Sequence, residues 1–318
     1  MSIPSNGLFA GEVHCDVLPP SIGTYPESSV YSGAVMLRAR SIEGSTPADG
    51  AGLGSAPVRE GRENPVWFHD HFEKAAGEVI DFLASSGIGL TGRDVADVGA
   101  GDGIIDLGVA SHAKPARLVG FDIIETDPER LLALAKREGV AKKLPPELEF
   151  RLSEPTRLPY DDDSFDVVFS WSTFEHVAEP IPLLRDIHRV MRPLGVLMIQ
   201  LWPLFHSQHG SHLWQYFPEG FVQLLCSEVE IETAVRQNPG PDIEWSERLL
   251  AEFRSCSRIT LDGLHAALTA AGFRVSKLEL MSEMVVIPPE LKQVPLSLLD
   301  ISALKLLATA EPLLSVGG

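Results

Sequence analysis

Residues 94–103 read DVADVGAGDG, a short apolar strand that runs into three glycines, Gly99, Gly101 and Gly103. Residues 104–112 then carry the apolar spacing of a helix, so the glycines lie in a turn between a strand and a helix. Glycine lets the backbone of such a turn approach a ligand closely, and it leaves that ligand at the N-terminus of a helix. The segment therefore predicts a ligand-binding loop at the carboxyl end of a strand.

The acidic residues of this loop favour a ligand that carries positive charge. A dinucleotide fingerprint spaces its glycines as G-x-G-x-x-G, whereas the third glycine here comes one residue earlier, as G-x-G-x-G. Asp97 stands two residues before the first glycine and Asp102 lies within the loop, so both carboxylates would repel an anionic pyrophosphate. A sulfonium or an amino group would be attracted instead. A nicotinamide-dependent oxidoreductase on a similar sheet stays open as an alternative.

Strands and helices alternate along the chain on both sides of the loop. The spacing of apolar residues predicts strands at 94–98, 118–121, 148–152, 165–170, 196–201 and 273–281, and helices at about 66–85, 104–112, 127–138, 183–191 and 260–271. Asp127 and Pro128 supply an N-cap and a first-turn proline for one of these helices. Regular alternation of this kind is typical of an α/β protein with a doubly wound, Rossmann-like parallel sheet.

Three segments fall outside this alternation. Residues 1–64 include a stretch rich in Gly and Pro without apolar periodicity, which predicts a flexible N-terminal arm. The main domain is expected over residues 65–285. Residues 203–258 form an insertion of helices and loops after its fifth strand. The Leu-rich residues 286–318 predict a helical C-terminal tail.

Composition and charge exclude several classes of protein. The 318 residues are 44% hydrophobic and 22% charged, which is ordinary for a globular protein, and no apolar run reaches the length of a membrane span. A net charge of −18 repels nucleic acid and anionic membranes. Cys15, Cys226 and Cys256 fit neither a disulfide framework nor a thiolate metal site. We therefore expect a cytoplasmic protein without nucleic-acid or membrane partners, and homo-oligomerisation stays open.

The motifs that follow the glycine loop resemble those of class I S-adenosylmethionine-dependent methyltransferases, in the small-molecule group that includes ubiquinone and menaquinone methylases. The resemblance covers about residues 66–202 and 258–282. The matching features, in chain order, are the glycine loop, LVGFDII at 118–124, the acidic turn at 153–163, Glu-His-Val at 175–177 and LLRDIHRVMRPLGVLMIQ at 183–200. The resemblance implies the class I methyltransferase fold, S-adenosylmethionine as the cofactor and a small-molecule acceptor.

The same resemblance implies roles for residues around the cofactor. Asp122 would accept hydrogen bonds from the ribose hydroxyls, Ile123 would lie against adenine, and Glu154 would accept from the adenine amino group. A solvated loop charge stays open for Glu154, and Asp161–Asp163 is expected to be a solvated turn. The expected cofactor contacts are Asp97, Gly99, Ala100, Gly101, Gly103, Asp122, Ile123, Glu154, Pro155, Ser170 and Trp171.

The acceptor is expected at the end of the fourth strand, because ligands bind in that crevice of open α/β sheets. A neutral imidazole at His176 would take a proton from a substrate hydroxyl, although a role in capping the next helix stays open. Glu175 is equally ambiguous. The insertion is expected to form a substrate lid. Its expected acceptor contacts are His206, His209, His212 and Trp214.

The sequence thus predicts methyl transfer from S-adenosylmethionine to a small molecule, at oxygen, without a metal. The aromatic and histidine content of the insertion suits a sugar or another polar ring compound as acceptor. Trp67 or Phe68, at the start of the first helix, is a candidate to cover the cofactor pocket. A non-catalytic cofactor-binding or regulatory protein on the same fold stays open as the main alternative.

Overall fold

The computed structural model describes residues 65–240 and 243–311, so the predicted arm at 1–64 lies outside the described residues. The described chain begins with one continuous helix in three segments: α1 (Pro65–His69), a π-helical turn (Asp70–Ala75) and α2 (Ala76–Ala84). Its buried side chains recur at helical spacing, as the sequence predicts. The helix expected at about 66–85 is therefore confirmed.

A seven-stranded sheet forms the centre of the molecule. Its strands are β1 (Asp94–Val98), β2 (Arg117–Asp122), β3 (Leu148–Leu152), β4 (Phe165–Trp171), β5 (Met191–Leu201), β6 (Phe273–Ser282) and β7 (Ile301–Ala310). The strand order is β3-β2-β1-β4-β5-β7-β6. Strands β1 to β5 pair in parallel, whereas β7 is antiparallel to both β5 and β6. The strand order reverses between β1 and β4, where open α/β sheets bind ligands at the carboxyl ends of their strands.

Helices cover both faces of the sheet, as expected for a doubly wound, Rossmann-like fold. They are α3 (Ile104–Ala113), α4 (Pro128–Arg137), α5 (Pro180–Val190) and α9 (Leu261–Ala270). Two successive residues of β1 face opposite layers of helices: Val95 packs in the cluster of α2 and α3, and Ala96 packs in that of α5 and α9. Asp127 caps α4 by accepting from two backbone N–H groups at 3.0 Å, as its sequence predicts.

The insertion after β5 has a small core of its own. Its helices are α6 (Val222–Leu225), α7 (Glu228–Gln237) and α8 (Ile243–Ser255). Trp245 on α8 is 2% exposed and packs with Leu213, Val235 and Leu250. A capping box of Ser227 and Glu230 begins α7. The prediction of helices and loops between β5 and α9 is confirmed.

The C-terminal segment corrects the predicted domain boundary. Residues 286–318 were expected to form a helical tail, but in the described part of that segment, 286–311, only α10 (Leu296–Asp300) and a 3₁₀ turn at Pro289–Leu291 are helical. They are followed by β7, which pairs with two neighbours inside the sheet. The segment ISALKLLATA is buried on both faces in that position, and this burial overrides the helical preference of Leu and Ala. The main domain therefore extends through residue 310.

Cysteine pairing is a second correction. Cys226 is disulfide-bonded, and Cys256 is free. The expectation that the cysteines form no disulfide is therefore wrong, because separation along the chain does not fix separation in space. None of the helices within 65–240 and 243–311 has the length and hydropathy that crossing a bilayer requires.

Candidate active site

The glycine loop follows β1 in the conformation that its composition demands. Gly99, Gly101 and Gly103 all have positive φ angles, of 98°, 55° and 76°. A β-carbon on Gly99 would overlap the side chain of Thr173, whereas one on Gly101 would meet no atom within 4 Å. Gly99 therefore allows the segment after β4 to approach the loop, and Gly101 leaves open space beside it.

Asp122 joins the end of β2 to the glycine loop. Its Oδ2 accepts from the Gly101 N–H at 2.8 Å, and its Oδ1 accepts from the Ile124 N–H at 2.8 Å. Each carboxylate oxygen has a second lone pair left for another donor. The side chain is half-buried at the carboxyl end of the strand, so two further donors, such as a pair of vicinal hydroxyls, fit there.

Two carboxyl groups face each other beneath the loop. Asp97 is 2% exposed and Asp106, on α3, is fully buried. Among the described residues, Oδ1 of Asp97 and both oxygens of Asp106 have no hydrogen-bond donor. Burial, followed by the charge of Asp106, holds the pKa of Asp97 well above its ordinary value, and burial raises the pKa of Asp106 to about 7. A proton on one carboxyl group would donate to the other and satisfy both.

The residues expected beside adenine lie on the adjoining loops. Ile123 directly follows Asp122 and is 59% exposed. The Ser153 N–H donates to the Asp122 carbonyl at 2.8 Å, which brings the next loop to the same edge of the sheet. Glu154 and Pro155 are exposed in a tight turn closed by a bridge between Glu154 and Arg157. The structure therefore places all three near Asp122.

The end of β4 is tied to the neighbouring strand through Ser170. Ser170 is fully buried, and its hydroxyl donates to the Val98 carbonyl at 2.6 Å. This side chain connects β4 to β1, and the expected cofactor contact of Ser170 stays a prediction. Trp171 is half-buried, with the Lys305 ammonium 5.9 Å from the centre of its ring. Ala100 is 7% exposed, and its N–H donates to the Phe121 carbonyl.

The first helix borders the loop through Trp67. Its Nε1 donates to Asp102 Oδ2 at 3.1 Å, and its ring stacks on His71 with 4.0 Å between ring centroids. Phe68, the other candidate cover, is fully buried among Ile104 and Leu131 and cannot face a ligand. Of the two, only Trp67 lies beside the loop.

His176 ends a short 3₁₀ turn, Phe174–His176, that follows β4. Its N–H donates to the carbonyl of Thr173, the residue that packs on Gly99. Its Nδ1 lies 2.9 Å from Ser255 Oγ at the end of α8. Burial lowers the pKa of His176, and a backbone hydrogen bond at Ser255 opposes that shift. The imidazole is therefore neutral at neutral pH and lies near the glycine loop.

Aromatic rings extend from His176 into the insertion. The rings of His176 and His212 are 5.0 Å apart, those of His212 and Trp214 are 6.2 Å apart, and those of Trp214 and Trp202 are 5.7 Å apart. We call these four residues the ring row. Burial, followed by the charge of His176, lowers the pKa of His212 to about 3. Its Nε2 is buried, with no hydrogen-bond partner among the described residues.

The three histidines of the insertion separate in space. His206 packs edge-on against Phe205 and lines a different cavity, with Leu204 and Asp262. The His209 pKa is lowered by burial, and Glu283 opposes that shift. The structure brings His212 to His176 and gives no contact between His176 and the other two. Within the described ranges, no group of three or more His, Cys, Asp or Glu side chains is placed to hold a metal ion.

Several residues of the site escaped sequence reasoning. Thr173 packs on Gly99, Asp106 faces Asp97, and Ser255 contacts His176 from 79 residues away. Asp106 carried a usable signal, since it is a lone charge among the apolar residues of IIDLGVA. Ser255 carried no such signal, because the sequence does not specify where a helix of an insertion packs relative to the sheet.

The cofactor side fits the groups of S-adenosylmethionine. Gly101 leaves room for the ligand, and Asp122 offers carboxylate lone pairs to a ribose. Ile123 presents an exposed apolar side chain to a base, and Asp102 supplies negative charge near a sulfonium or amino group.

Comparison with known proteins agrees with this geometry. Residues 96–199 match the model of a family described as a methyltransferase domain. The chain is 31% identical over 140 residues to erythromycin 3''-O-methyltransferase of Saccharopolyspora erythraea, covering 44% of each protein. It is 27% identical over 165 residues to demethylmenaquinone methyltransferase of Paenarthrobacter aurescens, covering 50% of this chain and 59% of that protein.

A solved S-adenosylmethionine-dependent methyltransferase from Mesorhizobium loti has a TM-score of 0.46 at 18% identity, covering 75% of this chain and 99% of that one. The chain spans about half the length of the two curated relatives given above. The matched segment runs from β1 to β5 and contains the glycine loop, Asp122 and His176. Residues 96–199 are therefore similar to a methyltransferase domain, and the groups beside the glycine loop fit S-adenosylmethionine as the cofactor of such a domain.

Proposed function

We propose that this protein transfers the methyl group of S-adenosylmethionine to a hydroxyl oxygen of a small molecule, with His176 as the base. The observation that carries the proposal is the position of His176. Its imidazole is neutral, lies three residues from the contact between Thr173 and Gly99, and adjoins the buried His212. A proton acceptor therefore lies between the cofactor loop and the insertion.

The chemistry requires little of the protein beyond alignment and one proton transfer. When bound, S-adenosylmethionine supplies a methyl group whose bonding electrons stay on sulfur as the accepting oxygen bonds to carbon. A hydroxyl oxygen must lose its proton in that step, and a positioned base contributes about 10²- to 10⁴-fold to the rate. His176 takes this proton on its unprotonated nitrogen. Asp122 and the glycine loop hold the cofactor so that oxygen, methyl and sulfur align.

The ring row supports a polar ring compound, such as a sugar, as the acceptor. Trp202 and Trp214 offer flat apolar surfaces, and His212 Nε2, which has no partner in the described part of the chain, offers a polar atom to a hydroxyl. Two similar proteins, erythromycin 3''-O-methyltransferase and the tocopherol O-methyltransferase of Arabidopsis thaliana, are oxygen methyltransferases by name. The net charge of −18 disfavours nucleic acid as the acceptor.

The experiment begins with calorimetric titration of the full chain with S-adenosylmethionine and S-adenosylhomocysteine. A panel of glycosides and phenols is then incubated with protein and methyl-labelled S-adenosylmethionine, and products are identified by mass spectrometry and NMR. We expect at least one hydroxylated ring compound to be converted to its methyl ether. Cofactor binding without any product would favour the non-catalytic alternative, and a methylated carbon or nitrogen would contradict the oxygen assignment.

The base is tested with His176→Gln on the acceptor so identified. We expect turnover to fall about 10²- to 10⁴-fold while cofactor affinity stays within a few-fold. His188→Gln is the matched control, because His188 lies on α5 and contacts the carbonyl of Glu311. Equal turnover in both variants would remove His176 from the mechanism.

A further inference from the structure

We propose that Ser255 is a positioning residue for His176: it holds the imidazole as the Nδ1–H tautomer and so leaves Nε2 free to accept the substrate proton. The inference rests on the proposed function, in which His176 is the base. The inference specifies which imidazole nitrogen of His176 accepts the proton. Ser255, the residue that orients the imidazole, lies in the insertion, 79 residues further along the chain.

The Ser255 hydroxyl has one proton and two neighbours that compete for it. Its Oγ lies 2.7 Å from the carbonyl oxygen of Glu252, one turn earlier on α8, and 2.9 Å from His176 Nδ1. A carbonyl oxygen can only accept a hydrogen bond, whereas an imidazole nitrogen can accept or donate. Both short contacts are hydrogen bonds only when Ser255 donates to Glu252 and His176 donates from Nδ1 to Ser255.

The opposite arrangement leaves one contact unsatisfied. If Ser255 donated to an unprotonated Nδ1, Oγ and the Glu252 carbonyl would meet as two acceptors at 2.7 Å. The geometry of these two contacts therefore favours the Nδ1–H tautomer.

Burial favours a neutral imidazole at His176, because it lowers the pKa of the ring. The His212 ring, 5.0 Å away, is neutral as well, since its pKa is lowered to about 3. In neutral imidazole one nitrogen donates and the other accepts. With Nδ1 donating to Ser255, Nε2 keeps its lone pair, which is the form that a base requires.

A second serine, Ser257, holds the segment after α8 against the 3₁₀ turn Phe174–His176. The Ser257 N–H donates to the Glu175 carbonyl at 2.5 Å, and its hydroxyl donates to the Phe174 carbonyl at 3.2 Å. The insertion therefore contacts both the backbone of the 3₁₀ turn and the imidazole at its end. The same insertion contributes His212 and Trp214 to the ring row, so the elements that contact the acceptor also orient the base.

The experiment compares Ser255→Thr with Ser255→Val, two side chains of nearly equal shape that differ in the hydroxyl. The full chain is labelled with ¹⁵N in its histidines, and the His176 signals are assigned as those missing from His176→Gln. Long-range ¹⁵N–¹H spectra then report which nitrogen carries the proton. We expect the Nδ1–H form in the unmodified protein and in Ser255→Thr, and a mixture of tautomers in Ser255→Val.

Turnover provides the second readout. We expect kcat in Ser255→Val to fall about 3- to 10-fold, the equivalent of one lost hydrogen bond, with the acceptor KM unchanged and with recovery in Ser255→Thr. Ser257→Ala is the matched control, because it removes a hydroxyl from the same segment and leaves the imidazole contact intact. Its His176 tautomer should match that of the unmodified protein.

Three results would overturn the role of Ser255. They are an Nε2–H tautomer in the unmodified protein, identical spectra for the Thr and Val variants, and a tautomer change in Ser257→Ala equal to that in Ser255→Val. A different result would show that the proposed function is wrong while the role of Ser255 stands. In that case His176→Gln keeps full turnover, while the spectra still show the Nδ1–H form held by Ser255.

Discussion

The backbone N–H of Gly101 donates to Oδ2 of Asp122 at 2.8 Å, so the loop after β1 and the carboxylate at the end of β2 fix each other's position. The hydroxyl of Thr126 adds a second contact by donating to the Gly101 carbonyl at 3.0 Å. A ligand that binds Asp122 therefore meets a loop whose conformation is already set. Because these groups are already fixed before the ligand binds, less conformational entropy is lost on binding.

Asp122→Ala should weaken binding of S-adenosylmethionine about 10- to 100-fold, because charge-assisted hydrogen bonds to the ribose are lost. The substitution also leaves the Gly101 N–H without its partner. Calorimetric titration measures the change. Asp161→Ala, in the exposed turn before β4, is the control and should bind as the unmodified protein does. Unchanged affinity in Asp122→Ala would refute the assignment.

The rate should depend on pH through His176. A base acts in its unprotonated form, and burial lowers the pKa of His176 below its ordinary 6.5. With the identified acceptor, kcat/KM should therefore be level at neutral pH and decline only as the pH falls below 6.5. His176→Gln should remove this acid limb. A limb that persists in the variant would assign the titration to another group.

Asp106→Asn should change how stability depends on pH. Burial raises the pKa of Asp106 from 3.8 to about 7 in the folded protein, so the folded state keeps a proton that the unfolded state has lost. Its stabilising contribution is complete below pH 3.8 and is lost as the pH rises through about 7. The loss is on the order of 1 kcal/mol for each unit of pKa shift.

The measurement is denaturant unfolding at about pH 5 and about pH 8, below and above the folded-state pKa. The free energy of unfolding should decrease less between these two pH values in Asp106→Asn than in the unmodified protein. Asp81→Asn, on the exposed side of α2, is the control. The same pH dependence in Asp106→Asn and in the control would show that the buried carboxyl pair does not hold a proton.

Trp67→Phe should weaken S-adenosylhomocysteine binding about two- to fivefold, since an exposed hydrogen bond to Asp102 contributes modestly. Asp102→Ala removes the same contact from the other side. If Trp67 acts through Asp102, the double variant should bind no more weakly than Asp102→Ala alone. Fully additive losses in affinity would show that the two side chains act independently.

The local sequence predicted the first five strands and the glycine loop well. Two strands, Asp94–Val98 and Leu148–Leu152, have the bounds that their apolar runs predict, and Asp127 caps α4 as expected. These features depend on a few neighbouring residues and on the conformations that glycine and proline permit. The carboxyl ends of parallel strands share one edge, which is why the glycine loop and Asp122 lie together.

Predictions that depended on distant neighbours were wrong. Ile301–Ala310 reads as a helix until its place between β5 and β6 is known. The placement of the three histidines of the insertion also depends on tertiary structure. The backbone there is irregular, and His212 adopts a positive φ of 59° that no helix contains. Only His212 therefore reaches the ring of His176.

The sequence by itself determined the fold class and the cofactor loop, because short-range periodicity and backbone preference specify both. The roles of Asp122 and His176 follow from the resemblance to class I methyltransferases and from their places at the ends of strands, and they stay predictions. Only the tertiary structure decided that Asp106 faces Asp97, that Thr173 packs on Gly99 and that Ser255 contacts His176. Residues so far apart along the chain meet because separate elements pack against one core, and no local pattern encodes which polar side chains that packing brings together.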